Sequence, residues 1–431
     1  KKFGRTPGKA DGGASFAEDK EENAVERTSG SGKRKYFESN TGKERQGRKI
    51  GVSKWGKSYY NRTRVTADYG MGEWLTMIYH TILEAIGHTP VIRLQHLPDP
   101  QGAQVLVKFE GLNVGGSIKT RTAYQMIENA ERDGKIGPDT IIVEPTSGNQ
   151  GIGLALIGAV KGYRTIIIMP DSVSEERRKL VRHYGAEVIL HGDVYDEACA
   201  HALALAEEKG YTFIHPFDDP AVATGQGTIA MEIVQELPLV DYILVPIGGG
   251  GLATGVSTLA KLLNPHIKVI GVEPAGAACM KASLEKGEVV TLPHVNTIAD
   301  GTAVQTPGKN IFPYIQENLD DIITIDDDEL IVAFLDMVEN HKMIVENSGL
   351  LTVAALRHLD VKNKKIVSIL SGGNMDVITM SSVVQHGLIQ RDRIFTVSVL
   401  IPDKPGELVR VASVIAENQG NVIKLDHNQF V

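Results

Sequence analysis

Short runs of β-branched and other apolar residues alternate with longer stretches rich in Ala, Leu and Glu from about Ile82 onward. The short runs predict strands and the longer stretches predict helices, because a run of about four to eight apolar residues fits a buried strand. The predicted strands are Val105–Phe109, Thr140–Glu144, Thr165–Met169, Glu187–Leu190, Tyr242–Pro246, Val269–Val272, Ile322–Ile325 and Ile366–Leu370. The clearest predicted helices are Thr120–Asp133, Glu175–Tyr184 and Asp196–Lys209. Such alternation predicts parallel sheets covered by helices on both faces, and the strands are too many for one compact sheet, so two α/β domains are expected.

The pattern changes after about Arg393. Residues Ile394–Leu400 alternate as in a strand, the turn 403–406 follows, and Glu407–Asn418 carries apolar residues at helical spacing. Gly420 suits a helix end, and Asn421–Leu425 begins another predicted strand. The tail is therefore predicted to be a βαβ unit.

The first 76 residues differ from the rest in charge and texture. Residues 1–70 carry roughly +8 and the remainder roughly −16, and Ser29–Lys35 is typical of a segment poor in aliphatic residues. A nucleic-acid contact and a solvated leader are both compatible with these charges. Because such a segment cannot bury enough surface to offset its ordering entropy, we expect residues 1–76 to be a disordered or non-native basic leader.

Composition sets the broad class of the protein. The chain has 431 residues, 42% hydrophobic and 23% charged, as in globular proteins of more than one domain. Its two cysteines, Cys199 and Cys279, have no metal-like spacing, which favours a reducing cytoplasm. No run of about 18 apolar residues occurs, so no membrane span is expected. The N-terminus has no short apolar region of the secretory type. Because the basic segment is interpreted as a solvated leader, no nucleic-acid partner is expected.

Four consecutive glycines mark the strongest candidate for chemistry. Gly248, Gly249, Gly250 and Gly251 lie between the predicted strand Tyr242–Pro246 and a helical run. Such a loop lets backbone N–H groups point at a phosphate, and the helix dipole favours its charge. A tight turn is the simpler alternative. A dinucleotide site also fits, because Gly248, Gly250 and Ala253 match the fingerprint and Glu273 follows at a suitable distance.

Lys119 follows Gly115–Ile118 and stands near the start of the predicted helix Thr120–Asp133. A lysine there can have its amine pKa lowered by the positive helix end and by desolvation, which favours imine chemistry. Most lysines are simply exposed, so this feature alone is weak.

Two further loops follow predicted strands. Residues 145–153 contain Thr146, Ser147, Gly148 and Gln150 at a helix start, which suits a substrate carboxylate, although a plain capped helix is the alternative. Ser371 follows Ile366–Leu370, where an ordinary turn is the alternative. Loops at the carboxyl ends of parallel strands converge on one cleft, so four loops and a lysine together predict an active site.

These motifs resemble the fold-type II family of pyridoxal-phosphate enzymes, which has the fold of the tryptophan synthase β subunit. Cysteine synthases are resembled most closely by Ile82–Leu94, Asn113–Ile127 and Glu144–Leu156. Threonine dehydratases, or ammonia-lyases, are resembled by His215–Pro220, Gly225–Thr228, Pro246–Leu252, Ile298–Gly301 and Leu370–Asn374. Residues Ile394–Val431 resemble the start of an ACT regulatory domain.

The resemblance implies a domain organisation. The catalytic unit would span 77–392, with a small domain at about 115–222 inserted into a large domain at about 77–114 and 223–392. A partial α+β ACT module would occupy 393–431, where an amino-acid effector could bind. A homo-oligomer is also implied.

The resemblance also implies residue roles. Lys119 would bind pyridoxal 5′-phosphate as an imine and exchange protons with the substrate, and Asn149 would bond the ring hydroxyl. Gly248–Gly251 would hold the phosphate, and Ser371 would face the pyridine nitrogen. The substrate carboxylate would bind to Thr146, Ser147, Gly148 and Gln150. No metal is expected, because Cys279 replaces an acidic residue of the family's cation site near Glu273.

The expected reaction is dehydration and deamination of L-threonine, or of L-serine, as in isoleucine biosynthesis. β-Replacement of the cysteine synthase type is the alternative. A non-catalytic amino-acid-binding regulator and a dinucleotide oxidoreductase are weaker hypotheses, since the second would leave Lys119 and the Ser147 loop without a role.

Overall fold

A computed structural model describes residues 78–95, 102–146, 148–214 and 218–426. The predicted basic leader, residues 1–76, lies outside these ranges. The described strands are β1 (Val91–Arg93), β2 (Gln104–Phe109), β3 (Ile141–Pro145), β4 (Arg164–Met169), β5 (Glu187–Leu190), β6 (Thr212–Phe213), β7 (Tyr242–Pro246), β8 (Lys268–Pro274), β9 (Asp321–Ile325) and β10 (Lys365–Leu370).

The α-helices surround these strands in chain order. They are α1 (Lys119–Arg132), α2 (Asn149–Lys161), α3 (Glu175–His183), α4 (Tyr195–Lys209), α5 (Pro220–Glu236), α6 (Gly251–Leu263), α7 (Cys279–Lys286), α8 (Phe312–Asn318), α9 (Asp327–Asp336), α10 (Asn347–Ala354), α11 (Val377–Gln390) and α12 (Glu407–Glu417). Within the described ranges, none of these helices is both long and apolar enough to cross a membrane.

The strands form two sheets. The larger has the order β1-β2-β10-β7-β8-β9, and only β1 runs antiparallel to its neighbour. The smaller has the order β5-β4-β3-β6 and is parallel throughout. The predicted α/β class with two mainly parallel sheets is confirmed.

Helices cover both faces of each sheet because the central strands are apolar on both sides. In β7 and β10, every residue after the first is buried, as expected when a parallel strand has no solvated face. One cluster packs α9 and α10 against the larger sheet, and a second packs α5 and α6 against it. Two further clusters enclose the smaller sheet.

All eight predicted strands of residues 105–370 are present, with ends shifted by no more than two residues. The short strands β1 and β6 were not predicted, because two or three residues at a sheet edge give little periodic signal. In the tail the predicted helix is present as α12, but the strands predicted at 394–400 and 421–425 are wrong. Phe395, Val397 and Leu400 are exposed, and no described strand offers these residues a pairing edge.

Candidate active site

Three loops meet at one edge of the larger sheet. They follow β2, β7 and β10, whose parallel registers are continuous across the sheet. Because the carboxyl ends of parallel strands lie at the same edge, these loops are brought together by topology alone. They carry Lys119, the glycines 248–251 and Ser371.

Backbone hydrogen bonds fix the loop of Lys119 to the loop of Ser371. The N–H of Ile118 donates to the Ser371 carbonyl at 2.9 Å, and the N–H of Gly373 donates to the Gly116 carbonyl at 2.9 Å. Ser117 and Gly372 also form an isolated β-bridge. Lys119 is thus the first residue of α1, held directly beside the end of β10.

A buried ionic network around Arg121 fixes the first turn of α1 in place. Arg121 places Nε 2.8 Å from Glu110 Oε2 and Nη1 2.6 Å from Glu232 Oε1, and Lys108 Nζ lies 2.8 Å from Glu232 Oε2. Burial opposes ionisation of Glu232, but Arg121 and Lys108 outweigh it and lower its pKa to about 2. Removal of one partner would leave a buried charge unpaired, so the network resists any shift of α1.

Burial dominates the electrostatics of Lys119. Desolvation lowers the pKa of its amine, while the carboxylates of Glu144 and Glu346 act in the opposite direction. The net shift is downward, so the neutral amine is favoured relative to an exposed lysine. A neutral amine is the form that attacks a carbonyl to make an imine.

Asn149, the first residue of α2, links the smaller sheet to this site. Its Nδ2 donates to Glu346 Oε2 at 2.7 Å, and its Oδ1 accepts from Asn374 Nδ2 at 2.9 Å. Ser371 Oγ donates to Glu346 Oε1 at 3.5 Å. Burial raises the pKa of Glu346 to about 6 despite the hydrogen bond from Asn149.

The predicted phosphate loop, Gly248–Gly251, is shaped for close approach. Gly250 has a φ of +104°, a conformation that favours glycine. A Cβ at Gly248 would lie 3.0 Å from Thr302 Cα. The loop opens α6, and Thr254 Oγ1 is buried there without a hydrogen-bond partner among the described residues. Free N–H groups at a helix start and a hydroxyl in need of a partner suit a phosphate.

The predicted carboxylate loop lies ahead of α2. Thr146 Oγ1 accepts from the N–H of Gly148 at 3.1 Å. Gln150 is buried, and its Nε2 donates to Met126 Sδ at 3.4 Å, while its Oε1 has no partner among the described residues. Ser147 lies outside the described residues.

A cavity of about 320 Å³ opens beside these loops. It is lined by Gly148, Asn149, Ser172, Val173, Ser174, Arg177, Asp300, Gly301, Glu346, Asp376 and Thr379. The cavity therefore joins Asn149 of the predicted site to charged residues from α3 and from the loops before α8 and α11.

Sequence reasoning gave no role to Glu144, Arg177 or Glu346. Glu144 was visible as an acid at the end of an apolar strand, which is a signal for a buried functional carboxyl. Glu346 and Arg177 had no such signal, because only the tertiary fold brings them to Asn149.

Glu273 caps a helix in this structure. Its carboxylate accepts from the N–H of Met280 at 2.8 Å and of Lys281 at 2.9 Å, and Cys279 Sγ lies 3.9 Å away. Burial raises the pKa of Glu273 to about 7. Across the described ranges, no group of three or more His, Cys, Asp and Glu side chains could hold a metal ion.

Comparison with known proteins gives a consistent picture. The family model for "pyridoxal-phosphate dependent enzyme" matches residues 82–372. The L-threonine ammonia-lyase of Geobacter sulfurreducens is 38% identical over 346 residues, covering 80% of this chain and 85% of that protein. The biosynthetic L-threonine dehydratase of Escherichia coli is 35% identical over 338 residues, covering 78% and 65%. The processed form of threonine deaminase isoform 2 from Solanum lycopersicum superposes with a TM-score of 0.66 at 36% identity, covering 71% of this chain and 89% of that one.

Proposed function

The chain belongs to the family of pyridoxal-phosphate dependent enzymes, and from this we propose that it removes water and ammonia from L-threonine to give 2-oxobutanoate. L-Serine would give pyruvate by the same route. The observation that carries the proposal is the attachment of the Lys119 loop to the Ser371 loop at the sheet edge where the glycine loop also opens. The activity of the relatives supports threonine as the substrate.

The residues present fit the cofactor. A phosphate would bind at the start of α6, where glycines 248–251 keep side chains away and Thr254 Oγ1 needs a partner. Asn149 and Ser371, which both form hydrogen bonds to Glu346, would hold the cofactor ring. Lys119 supplies the amine for covalent attachment.

Pyridoxal phosphate, when bound, supplies an electron sink for the carbanion at the substrate α-carbon. The chain's own residues do the remaining work. The Lys119 amine would remove the α-proton of the substrate. Its lowered pKa favours the neutral form, which can accept a proton.

The substrate carboxylate would bind at the start of α2. Backbone N–H groups there are unpaired within the helix and the dipole favours an anion. Thr146 and Gly148 already form a tight turn at this point, which preorganises the loop for a planar carboxylate. A carboxylate held here would fix the substrate relative to Lys119, since α2 packs against the start of α1.

Ser371 would face the pyridine nitrogen as a neutral partner. A hydroxyl does not require the pyridine nitrogen to be protonated. A carboxylate would favour the protonated ring and stabilise negative charge at the substrate α-carbon more strongly. The neutral partner therefore favours β-elimination over transamination-like side reactions.

The proposal is tested first by cofactor attachment. Borohydride reduction of the purified protein should fix the cofactor to the peptide that contains Lys119 and bleach its visible colour. Lys119→Ala should lose both the colour and the activity. Lys135→Ala, which removes an exposed lysine just after α1, should keep both.

Substrate choice is tested on the same preparation. L-Threonine should give 2-oxobutanoate and ammonia. β-Replacement is the second candidate, favoured by the cysteine synthase-like segment Glu144–Leu156. If the protein forms cysteine from O-acetylserine and sulfide but forms no oxo acid from threonine, β-replacement takes the place of dehydration as the proposed function.

The proposed function also implies a domain organisation and an assembly. Residues 77–392 would form the catalytic unit, with the small domain at about 115–222. The segment 393–431, in which α12 is present, would belong to an ACT module that binds an amino-acid effector. A cytoplasmic homo-oligomer acting in isoleucine biosynthesis is in keeping with the biosynthetic relative.

A further inference from the structure

Asn374 connects the loop that carries Lys119 to the start of α2. Its Nδ2 donates to the Gly115 carbonyl at 2.9 Å and to Asn149 Oδ1 at 2.9 Å. Asn374 itself lies in the loop after β10, so this one amide joins three separate segments of the chain. The proposed function has so far given Asn374 no role.

Gly116 leaves the space that the Asn374 side chain occupies. A Cβ at Gly116 would overlap the carbonyl end of the Asn374 amide, and Gly116 has a φ of +76°. The N–H of Gly373 donates to the Gly116 carbonyl at 2.9 Å, which fixes the backbones of the two loops to each other. The Asn374 amide is therefore held between two fixed loops.

The acceptors at the two ends of this hydrogen-bonded series decide which way each amide points. The Gly115 carbonyl can only accept, so the Asn374 atom beside it is the nitrogen. That nitrogen requires an acceptor on Asn149, which is Oδ1, and Asn149 Nδ2 then faces Glu346. An ionised Glu346 carboxylate also only accepts, and its Oε2 lies 2.7 Å from that Nδ2. Both ends therefore impose the same orientation on the Asn149 amide.

This orientation leaves one N–H group of Asn149 for a ligand. An amide nitrogen carries two N–H groups, and within the described ranges Asn149 Nδ2 makes a single hydrogen bond, to Glu346. Asn149 and Glu346 both line the cavity of the proposed site. A ligand oxygen that meets the Asn149 amide there meets a donor, because Oδ1 is turned toward Asn374.

We propose that Asn374 is a positioning residue that acts through Asn149: with Glu346, it holds the Asn149 amide so that Nδ2 donates to the oxygen of the cofactor's ring hydroxyl. The inference rests on the proposed function, since it takes the cofactor to be pyridoxal phosphate. A donor that is already oriented binds that oxygen without the cost of ordering a side chain. It also favours the ionised form of the ring hydroxyl, because hydrogen bonds to a charged form stabilise that form.

The test compares two ligands on the full chain after removal of bound cofactor. One is pyridoxal phosphate, and the other is the analogue that lacks the ring hydroxyl. The ratio of their Kd values, from equilibrium titration followed by absorbance, measures how strongly the site recognises that hydroxyl.

Asn374→Asp keeps the size of the side chain but turns a carboxylate toward two oxygen atoms, the Gly115 carbonyl and Asn149 Oδ1. The Asn149 amide should then lose its orientation. The preference for pyridoxal phosphate over the analogue should be about 5-fold larger in the wild type than in this variant, which is in the range of couplings between residues in contact.

A structural defect and a loss of orientation give different results. A defect lowers the affinity for both ligands by the same factor, so an unchanged ratio in Asn374→Asp overturns the proposal. Asn374→Ala removes the amide without adding a charge, and its ratio decides in the same way should Asn374→Asp fail to fold. Asn418→Asp, which makes the same exchange at an exposed asparagine after α12, should keep the wild-type ratio.

A double variant tests whether Asn374 acts through Asn149. Asn149→Ala should lower the ratio by itself, and Asn374→Asp added to it should lower the ratio no further. A second drop of the same size would show that Asn374 acts by another route, and would overturn the proposal.

These outcomes can be told apart from failure of the proposed function. Failure of borohydride to fix pyridoxal phosphate on the Lys119 peptide would defeat the proposed function. The Kd ratio does not require covalent attachment, because it can also be measured on Lys119→Ala. An unchanged ratio in Asn374→Asp, with the cofactor fixed on Lys119 in the wild type, would overturn only the role of Asn374.

Discussion

The Arg177 guanidinium contacts the Asp300 carboxylate, with Nη2 and Oδ2 2.5 Å apart. Arg177 belongs to α3, which lies between two strands of the smaller sheet, and Asp300 lies in the loop between α7 and α8. Both line the cavity that also contains Asn149 and Glu346. The ion pair therefore connects the two sides of the proposed active site.

Arg177→Gln should weaken substrate binding more than it weakens the fold. The Asp300 side chain is 53% exposed, so the pair contributes no more than about 1 kcal/mol to the free energy of unfolding. We expect KM for threonine to rise about 3- to 10-fold with a smaller change in kcat, since about 1 kcal/mol corresponds to such a factor. Steady-state kinetics at low and high salt give the measurement, and salt should raise KM in the wild type more than in the variant.

A charge reversal provides the control for this pair. Arg177→Asp combined with Asp300→Arg restores opposite charges and should recover part of the lost binding. Arg182→Gln, which removes an exposed ion pair to Glu175 on the same helix, should leave KM unchanged. Equal KM values for the wild type and Arg177→Gln would show that the pair has no part in binding.

Gly153 allows α2 to pass directly over the start of α1. A Cβ at this position would lie 2.8 Å from the Lys119 carbonyl oxygen, a backbone atom that cannot rotate away. Gly153→Ala should therefore destabilise the protein by about 1–3 kcal/mol and reduce cofactor binding by moving Lys119. Denaturant unfolding and cofactor titration are the measurements.

Gly137→Ala is the matched control. A Cβ there meets nothing within 4 Å, and its φ is not positive, so its effect should be neutral or slightly stabilising. The explanation would be wrong if Gly153→Ala bound the cofactor as tightly as Gly137→Ala.

The sequence predicted which loops lie at the carboxyl edge of the larger sheet. It did not predict which charged residues surround these loops. Strands Glu187–Leu190 and Tyr242–Pro246 were predicted with the ends that the structure has, because short apolar runs bounded by turns are local signals. The convergence of Lys119 with Ser371 also followed from parallel topology. These features depend on neighbours in the chain or on a general rule of parallel sheets.

What could not be predicted depends on residues distant in the chain. Asn149 and Glu346 are 197 positions apart in the chain, and no local sequence pattern predicts their hydrogen bond. Residues 394–400 show the opposite case, a strand-like alternation without a partner strand in the described chain. Strand formation needs a pairing edge, which a local pattern cannot supply.

We expect Glu346 to make the free energy of unfolding depend on pH. Burial raises its pKa to about 6, above the usual value of 4.5. The folded state then holds the proton at a pH where the unfolded state has lost it, so the stabilising contribution is present below about 4.5 and is lost as pH rises through about 6. The loss is on the order of 2 kcal/mol.

Glu346→Gln should remove this dependence. The difference in unfolding free energy between wild type and variant should move by about 2 kcal/mol between pH 4.5 and pH 7, in favour of the variant at the higher pH. Urea unfolding at several pH values measures it. Glu187→Gln should show no such trend, and parallel profiles for wild type and Glu346→Gln would refute the assignment.

We expect Cys279 to keep the Glu273 site from holding a divalent cation. In the wild type, a chelator should leave activity and Tm unchanged, because the Glu273 carboxylate is satisfied by the N–H groups of α7. Cys279→Asp would place a second buried carboxylate beside Glu273, which should destabilise the protein by about 1–3 kcal/mol without metal. Magnesium or calcium should restore part of this loss in the variant alone. Thermal unfolding with and without chelator decides, and a chelator-sensitive wild type would contradict the prediction.

Gly250 should be the glycine whose replacement most weakens cofactor binding. Gly250→Ala meets two obstacles, a φ of +104° and a Cβ only 2.7 Å from Met280 Cε. The combined strain would displace the start of α6, where the phosphate is proposed to bind, and should raise the Kd for pyridoxal phosphate about 10-fold or more.

Gly406→Ala has a similar φ of +94° but meets nothing within 4 Å, so it carries the backbone cost without the contact. Equilibrium titration of the cofactor, followed by its absorbance, compares the two variants. Equal affinities would show that crowding at the glycine loop does not control phosphate binding, whereas a loss confined to Gly250→Ala ties the cofactor to the start of α6.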